Sequence, residues 1–227
     1  MTQSSWTPNY EALEVGDVRF NSETYGNWHM NPRFKYKRIW TKIVEEDGLG
    51  TCDEYDTWQE EMANKIVGNR GAIVTGCGGC GKSKILQLVK KKFEDLNFVV
   101  ETCAFTHVAA ANVDGDTILR QLHANAQSKR RVFLVDEGSM VAIKLWAVFQ
   151  TFQFTGAIFV VFGDWAGQLA PISDQETIDI WKELPTSDFM HQLVNGLSIQ
   201  INKYRRGKDY DHFKFVKVFT LLAIKKI

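Results

Sequence analysis

The chain has 227 residues, which is enough for one or two domains of ordinary size with a substantial hydrophobic core. Hydrophobic residues make up 44% of it, including 15 Phe and 7 Trp, which argues against disorder; its 27 Lys and Arg balance 27 Asp and Glu, which excludes a global positive field that would coat nucleic acid. It has neither an apolar run of roughly 18 residues nor a secretory signal at its polar start, so we expect a soluble intracellular protein, in the cytoplasm or nucleus, with no membrane partner.

The first 50 residues are rich in aromatic and basic side chains but follow neither a strand nor a helix period. We therefore treat residues 1–50 as an amino-terminal extension of unassigned function. Residues 51–227 are interpreted as one domain.

From residue 53 onward, short apolar runs alternate with stretches whose apolar residues recur at helical spacing. Buried strands that alternate with helices are typical of a parallel sheet with helices on both faces, so the predicted fold class is α/β. The predicted strands cover 71–75, 97–105, 132–135, 156–164 and 197–201, and the predicted helices cover 53–67, 82–96, 140–152 and 211–227.

A glycine-rich loop follows the first predicted strand of this domain. Its sequence GCGGCGKS matches G-x-x-x-x-G-K-[ST], the phosphate-loop pattern, between a strand and a helix. Glycines let the loop curl so that backbone N–H groups face phosphate oxygens, while Lys82 would reach the β- and γ-phosphates and Ser83 a Mg²⁺ ion. The alternative is a glycine-rich turn that arose by chance. The pattern predicts that a nucleoside triphosphate with Mg²⁺ is bound by Gly76, Cys77, Gly78, Gly79, Cys80, Gly81, Lys82 and Ser83.

The four cysteines, Cys52, Cys77, Cys80 and Cys103, are too few and too widely spread to form a disulfide scaffold, so we expect them to be reduced. Cys77 and Cys80 form a C-x-x-C pair, which in other contexts indicates zinc or redox chemistry. Their place inside the phosphate loop favours the nucleotide interpretation.

An acidic pair ends the next buried strand, VFLVD. Asp136 and Glu137 emerge at its carboxyl end, where parallel sheets bind their ligands. Asp136 is the predicted magnesium ligand and Glu137 the predicted general base. In the alternative interpretation the pair caps the helix that starts near Met140.

Five segments, in order, resemble those of superfamily 1 helicases of the RecD-like group, which includes the Pif-type DNA helicases. They are TWQEEMANKIVGNRGAIVTGCGGCGKS, CAFTHVAAANVDGDTI, VFLVDEGSM, VVFGDWAGQLAPI and INKYRRGKDYDHF, and the resemblance covers about residues 53–215. It implies a P-loop NTPase fold with a RecA-like sheet, and ATP as the nucleotide.

The resemblance also implies roles for residues outside the phosphate loop. Gln59 would read the adenine edge, although it could also be a solvent-facing helix residue. Thr106 would touch the phosphate backbone of single-stranded DNA, or simply cap the following helix. The segment departs from the family pattern at Phe105 and His107, where proline and glycine are usual.

In the fourth matching segment, the resemblance implies that Gln168 senses the γ-phosphate and that Asp164 supports the site, although the Asp164–Gln168 spacing is one residue longer than the family's. Either Arg205 or Arg206 would be the arginine finger, unless the two form surface salt bridges. Trp165 would stack on a DNA base or pack in the core.

Such a helicase needs two RecA-like domains, and this chain has room only for the first. We therefore expect a helicase-type domain that binds ATP and, in a complete enzyme, hydrolyses it to move along single-stranded DNA. Alone it would bind nucleotide but hydrolyse it feebly. Its expected partners are single-stranded DNA and a second RecA-like domain on another chain. The alternatives are a non-catalytic accessory module of a replication or repair complex and a P-loop ATPase or kinase unrelated to DNA.

Overall fold

The computed structural model describes residues 10–12, 36–50, 56–118, 120, 130–153, 156–165, 167, 183–206, 211 and 214. The chain divides into two units, Met1–Trp40 and Thr41–Ile227. In the first unit, strand β1 (Tyr10–Ala12) pairs antiparallel with strand β2 (Tyr36–Arg38). The remaining described elements belong to the second unit.

A sheet of seven strands forms the centre of the second unit, and all of its pairings are parallel. The strands of this unit are β3 (Thr41–Val44), β4 (Gly48–Leu49), β5 (Ala72–Gly76), β6 (Val99–Ala104), β7 (Asp116–Thr117), β8 (Arg131–Asp136), β9 (Ile158–Gly163), β10 (Leu197–Ile201) and β11 (Lys203–Tyr204). The order across the large sheet is β3-β10-β5-β9-β8-β6-β7, and β4 pairs separately with β11.

The structure describes five α-helices in the second unit. They are α1 (Thr57–Asn69), α2 (Lys82–Asp95), α3 (His107–Asn112), α4 (Ile143–Gln153) and α5 (Asp188–Leu193). Helix α1 starts after Asp56, whose carboxylate accepts hydrogen bonds from the N–H groups of Trp58 and Gln59, and it ends at Arg70 in the left-handed conformation. The helix predicted over 211–227 lies outside the described residues, apart from residues 211 and 214.

Helices pack on both faces of the sheet, which confirms the predicted α/β fold. On one face Leu134 belongs to the same core cluster as Ile66 of α1 and residues of α2. On the other face Phe133 and Phe159 stack with ring centroids 5.1 Å apart, and Phe149 of α4 meets Phe159 edge-on at 5.3 Å. Strands β8 and β9 are buried at every residue because they lie between these two layers.

Strand β3 lies at one edge of the large sheet, within the segment that the sequence left unassigned. It pairs with β10 in the register Thr41↔Leu197 to Val44↔Gln200. Most of its side chains are exposed, so it shows no apolar run and no alternation of the kind that predicts a strand. Among the described residues, no helix combines the length and apolar character needed to cross a membrane.

Candidate nucleotide-binding site

The predicted phosphate loop connects the carboxyl end of β5 to the start of α2. Gly79 and Gly81 have φ angles of +86° and +94°, in the left-handed region that favours glycine. A Cβ at Gly79 would lie 2.6 Å from Cε2 of Tyr204, and a Cβ at Gly81 would overlap Nε2 of Gln59. Backbone shape and close packing both require glycine at these two positions.

Lys82 is the first residue of α2, and its side chain turns back onto the loop. Its Nζ donates hydrogen bonds to the carbonyl oxygens of Gly76 at 2.6 Å and Cys77 at 3.1 Å. The first N–H groups of a helix have no partner within it and give this end a partial positive charge. Ser83 follows and is exposed. The loop amides, the helix end and the ammonium group are the donors that a polyphosphate needs, so these residues fit a bound triphosphate.

Asp136 ends β8, which is separated from β5 by one strand, β9. The residue is 8% exposed. Burial raises the pKa of this carboxyl and the negative charge of Glu137 raises it further, while a hydrogen bond from the Glu137 N–H and the positive charge of Lys82 lower it; the net direction is upward. Lys82 and Asp136 therefore act on each other electrostatically. A buried carboxylate that is costly to ionise is a group that a divalent cation would stabilise, so Asp136 fits a Mg²⁺ ligand.

Glu137 adopts the left-handed conformation with φ 51° and ψ 39°. For a residue other than glycine this conformation costs about 1–2 kcal/mol, and such outliers cluster at functional sites. Glu137 lies between the end of β8 and the 3₁₀ turn Gly138–Met140, of which it is the N-cap residue. The acidic pair therefore stands on a strained bend, and no side-chain hydrogen bond from Glu137 caps that turn.

The segment after β9 lies beside this bend. The Asp164 N–H donates to Ser139 Oγ at 3.4 Å, and Asp164 Oδ1 accepts from the Gly167 N–H at 2.6 Å. The Trp165 ring packs so closely that a Cβ at Gly138 would lie 3.3 Å from its Cη2 atom, and its Nε1 is buried without a hydrogen-bond partner within the described part of the chain. This packing matches the core alternative for Trp165. Gln168 lies outside the described residues.

Gln59 is buried against the phosphate loop. Only 3% of the residue is exposed, and its Nε2 donates to the carbonyl oxygen of Gly81 at 3.1 Å. The alternative of a solvent-facing helix residue is therefore wrong. The structure thus places Gln59 in direct contact with the phosphate loop, and its contact with the adenine edge stays a prediction.

Thr106 caps α3, since its hydroxyl oxygen accepts a hydrogen bond from the Ala109 N–H at 3.1 Å. The residues around it are exposed: Phe105 is 39% exposed and Val108 75%. The capping alternative thus describes its Oγ1, and the DNA contact stays a prediction.

The two arginines after β10 differ in environment. Arg206 is exposed, whereas Arg205 is 7% exposed and pairs with Glu45 and Asp56. Burial lowers the pKa of the Arg205 guanidinium, but hydrogen bonds and charges from the two carboxylates raise it, with a net upward direction. The surface-salt-bridge alternative does not describe Arg205, whose ion pairs are buried. Sequence reasoning missed both carboxylates, because an isolated Glu or Asp in a polar stretch carries no motif.

The two loop cysteines differ in exposure: Cys77 is half-buried and Cys80 is buried. Cys80 is 1% exposed, and burial, followed by the nearby Cys77, raises its pKa to about 11. Burial also raises the pKa of Cys103. Within the described residues no group of three or more His, Cys, Asp or Glu side chains could hold a metal ion, and Cys52 lies outside them.

We expect Cys80 to resist alkylation in the folded chain. With its pKa at about 11, only about one thiol in a thousand is ionised at pH 8, and thiolate is the reactive form. Treatment with iodoacetamide, followed by peptide mass spectrometry that separates Cys77 from Cys80, measures this. The control is the same chain in guanidinium chloride. Equal labelling of Cys80 in both samples would contradict the expected burial.

The family model described as "AAA domain" matches residues 54–188. Among solved structures, Pif1 helicase from Candida albicans is similar with a TM-score of 0.57 and 21% identity, covering 71% of this chain and 42% of that one. Bacteroides Pif1 bound to ssDNA gives 0.54 and 19%, covering 71% and 45%. Bacteroides sp Pif1 in complex with ADP-AlF4 gives 0.50 and 19%, covering 69% and 44%. No curated protein sequence matches the chain.

These similarities confirm the predicted P-loop NTPase fold with its RecA-like sheet, and the resemblance to Pif-type helicases at the level of fold. The chain spans less than half of the length of these helicase structures.

Proposed function

The chain belongs to the AAA domain family, and we propose from this premise that it binds ATP with Mg²⁺ as the first motor domain of a DNA helicase. The main observation behind the proposal is that the phosphate loop and Asp136 lie near each other at one end of the sheet. The phosphate loop and Lys82 lie at the end of β5, and Asp136 lies at the end of β8, close enough for the Lys82 charge to lower the pKa of Asp136. Loop amides and Lys82 bind the phosphates, while Ser83 and Asp136 hold Mg²⁺.

A bound Mg²⁺ ion neutralises charge on the phosphate oxygens. The remaining roles belong to side chains around it. Glu137 accepts the proton of the attacking water, and Gln59, which is already against the loop, contacts the adenine. We keep Gln168 as the γ-phosphate sensor. Of the two arginines we favour Arg206 as the finger, because it is exposed, whereas the Arg205 guanidinium is held by carboxylates.

Single-stranded DNA is the proposed nucleic-acid substrate. One similar structure, a Bacteroides Pif1, is bound to ssDNA. In this chain the exposed edge at Phe105, Thr106 and Val108 offers a surface for the DNA backbone. The packing of Trp165 supports a role in the core for that residue rather than base stacking. Movement along DNA needs two RecA-like domains, so we propose that this domain works together with a second one.

A nucleotide titration with and without single-stranded DNA, with both binding and phosphate release measured, tests the proposal. We expect binding of Mg·ATP with feeble phosphate release, and turnover only when a partner with a second RecA-like domain is added. Binding without turnover in the presence of every such partner would favour the accessory-module alternative. Absence of nucleotide binding would refute both.

A further inference from the structure

A buried ion cluster packs against the phosphate loop. Arg205 Nη1 donates to Glu45 Oε2 at 3.0 Å, Nη2 donates to Glu45 Oε1, and Nε donates to Asp56 Oδ2 at 2.7 Å. The side chains of Arg205, Glu45 and Asp56 are 6%, 1% and 11% exposed. Charged hydrogen bonds at this depth are weakly screened by salt and fix the planar guanidinium in direction as well as position.

The cluster is joined to the loop through two carbonyl groups. Arg205 Nη1 donates to the carbonyl oxygen of Cys80 at 3.0 Å, and the Arg205 N–H donates to that of Gly79 at 2.9 Å. Gln59 holds the next carbonyl, that of Gly81, at 3.1 Å. Three consecutive carbonyls are therefore turned toward donors outside the loop.

The planar trans peptide makes this orientation matter for the opposite side of the loop. In such a unit the C=O of one residue and the N–H of the next point in opposite directions. Fixing the carbonyls of Gly79, Cys80 and Gly81 therefore directs the N–H groups of Cys80, Gly81 and Lys82 away from the ion cluster. Of these, the Cys80 N–H donates to the carbonyl oxygen of Cys77 at 3.4 Å, and the N–H groups of Gly81 and Lys82 are the amides that a phosphate loop presents to its anion.

Glu45 also fixes the segment that carries Arg205. Its Oε2 accepts hydrogen bonds from the N–H groups of Asn202 at 3.1 Å and Lys203 at 2.9 Å, and its carbonyl oxygen accepts from Asn202 Nδ2 at 2.8 Å. One carboxylate thus holds both the main chain that leads to Arg205 and the guanidinium itself. Glu45 and Arg205 both lie outside the residues matched by the family model, 54–188.

Net stability is a poor explanation for such a cluster, because the cost of removing charges from water offsets most of their attraction. The orientation that the cluster imposes on the loop carbonyls explains it better. We propose that Arg205, held by Glu45, is a positioning residue that keeps the phosphate loop in the shape that binds the α- and β-phosphates. This inference rests on the proposed nucleotide function and adds to it Glu45, which lies in none of the segments that resemble the family.

Comparing two nucleotides separates this role from that of an arginine finger. A finger contacts the γ-phosphate, so its loss weakens binding of an ATP analogue and leaves ADP unaffected. A positioning residue acts on the loop that holds the phosphates common to both. The measurement is isothermal titration calorimetry on the full chain, below the unfolding midpoint. We expect Glu45→Gln and Arg205→Lys each to weaken the binding of two ligands, Mg·ADP and the Mg complex of a non-hydrolysable ATP analogue. The two affinities should fall about equally, by roughly tenfold.

A third variant perturbs the cluster without removing a charge. A Cβ at Gly50 would lie 2.5 Å from Arg205 Cγ, so Gly50→Ala displaces the guanidinium stem and should weaken ADP in the same direction. Gly68→Ala is its matched control, because a Cβ there meets no atom within 4 Å. Asn195→Ala is the control for a loss of stability without a change at the phosphate loop. Asn195 Nδ2 donates to the carbonyl oxygen of Asn69 at 2.8 Å. Asn195 precedes β10, so this contact lies at the end of the sheet opposite the phosphate loop. Asn195→Ala should lower the unfolding temperature without changing ADP affinity.

Unchanged ADP affinity in both Glu45→Gln and Gly50→Ala overturns the inference, as does weakening of the ATP analogue alone. If Glu45→Gln does not fold, Gly50→Ala decides the question. Failure of the wild-type chain to bind ADP would instead refute the proposed function, so the two failures are distinguishable.

Discussion

In the Lys82→Ala variant, we expect Mg·ADP to lose most of its stabilising effect on the folded chain. At a concentration of 100 times its Kd, a ligand stabilises the native state by about 2.7 kcal/mol. Loss of a charged hydrogen bond to phosphate costs about 1.5–3 kcal/mol. If the loss lies near the upper end, affinity falls roughly a hundredfold, and the same ADP concentration then stabilises the variant by only about 0.4 kcal/mol.

Thermal unfolding with and without Mg·ADP measures this difference. A gain of about 2.7 kcal/mol corresponds to roughly 5–11 °C for a chain of this size, so its loss is easily seen. Without nucleotide, Lys82→Ala removes the Nζ hydrogen bonds to two half-buried loop carbonyls and the attraction between Lys82 and Asp136, so we expect a loss of stability smaller than the loss of the ADP response. Lys91→Ala, on the exposed side of the same helix, is the control for lost charge. A variant at Lys82 that kept the full ADP response would place the phosphates elsewhere.

The central strands and the phosphate loop could be predicted because their physical signals are local. Strands β8 and β9 lie between two helical layers, so each is an uninterrupted apolar run that no exposed strand could tolerate. The loop at Gly79 and Gly81 needs left-handed backbone and room for neighbouring side chains, and both needs are met by glycine alone. These requirements fix residue types at neighbouring positions, so the sequence alone is enough to predict both features.

The ion cluster could not be predicted, because its signal is spread over the whole fold. Glu45 and Arg205 are 160 residues apart, and they meet only because β3 and β10 are neighbours in the sheet. Strand β3 is a short edge strand with mostly exposed side chains, so the sequence does not reveal it. Without that strand, Glu45 is one of several acidic residues in a polar stretch, and Arg205 cannot be distinguished from Arg206.

Gln59 and Trp165 could be predicted only in part, because the sequence left open whether each side chain is exposed or packed against the protein. A helix position predicts only that Gln59 is on one side of α1; its contact with Gly81 depends on where α1 lies relative to the loop. The Trp165 ring meets Gly138 because two strand ends converge there. Such contacts follow from tertiary structure rather than from any local period.

Asp136→Asn should raise the stability of the nucleotide-free chain while it weakens Mg²⁺-dependent nucleotide binding. Burial raises the pKa of Asp136 above its ordinary value of 3.8, so the folded state holds this proton more tightly than the unfolded state does. The ionised carboxylate is therefore a net cost to folding at neutral pH. A neutral amide of the same shape avoids that cost, and we expect a gain on the order of 1 kcal/mol.

The sign of the pH dependence follows from the same shift. As pH rises from the ordinary aspartate value of 3.8 through the raised folded value, the wild-type chain loses stability, because the unfolded state binds fewer protons than the folded state in this window. Asp136→Asn lacks this group, so its advantage over wild type should be absent below the window and complete above it. Chemical denaturation at a series of pH values measures both.

With Mg²⁺ and ADP present, we expect the wild-type chain to be more stable than Asp136→Asn. A metal ion would offset the buried charge of Asp136 in the wild-type chain and has no charge to offset in the amide variant, so Mg²⁺ should tighten ADP binding to the wild type about tenfold more. Titrations of ADP with Mg²⁺ and with EDTA measure this ratio. Asp95→Asn, at the exposed carboxyl end of α2, is the control for a lost carboxylate. If Asp136→Asn kept the full Mg²⁺ effect, the ion would be held by other residues. If it also failed to stabilise the free chain, the burial of Asp136 would not carry the cost that its environment implies.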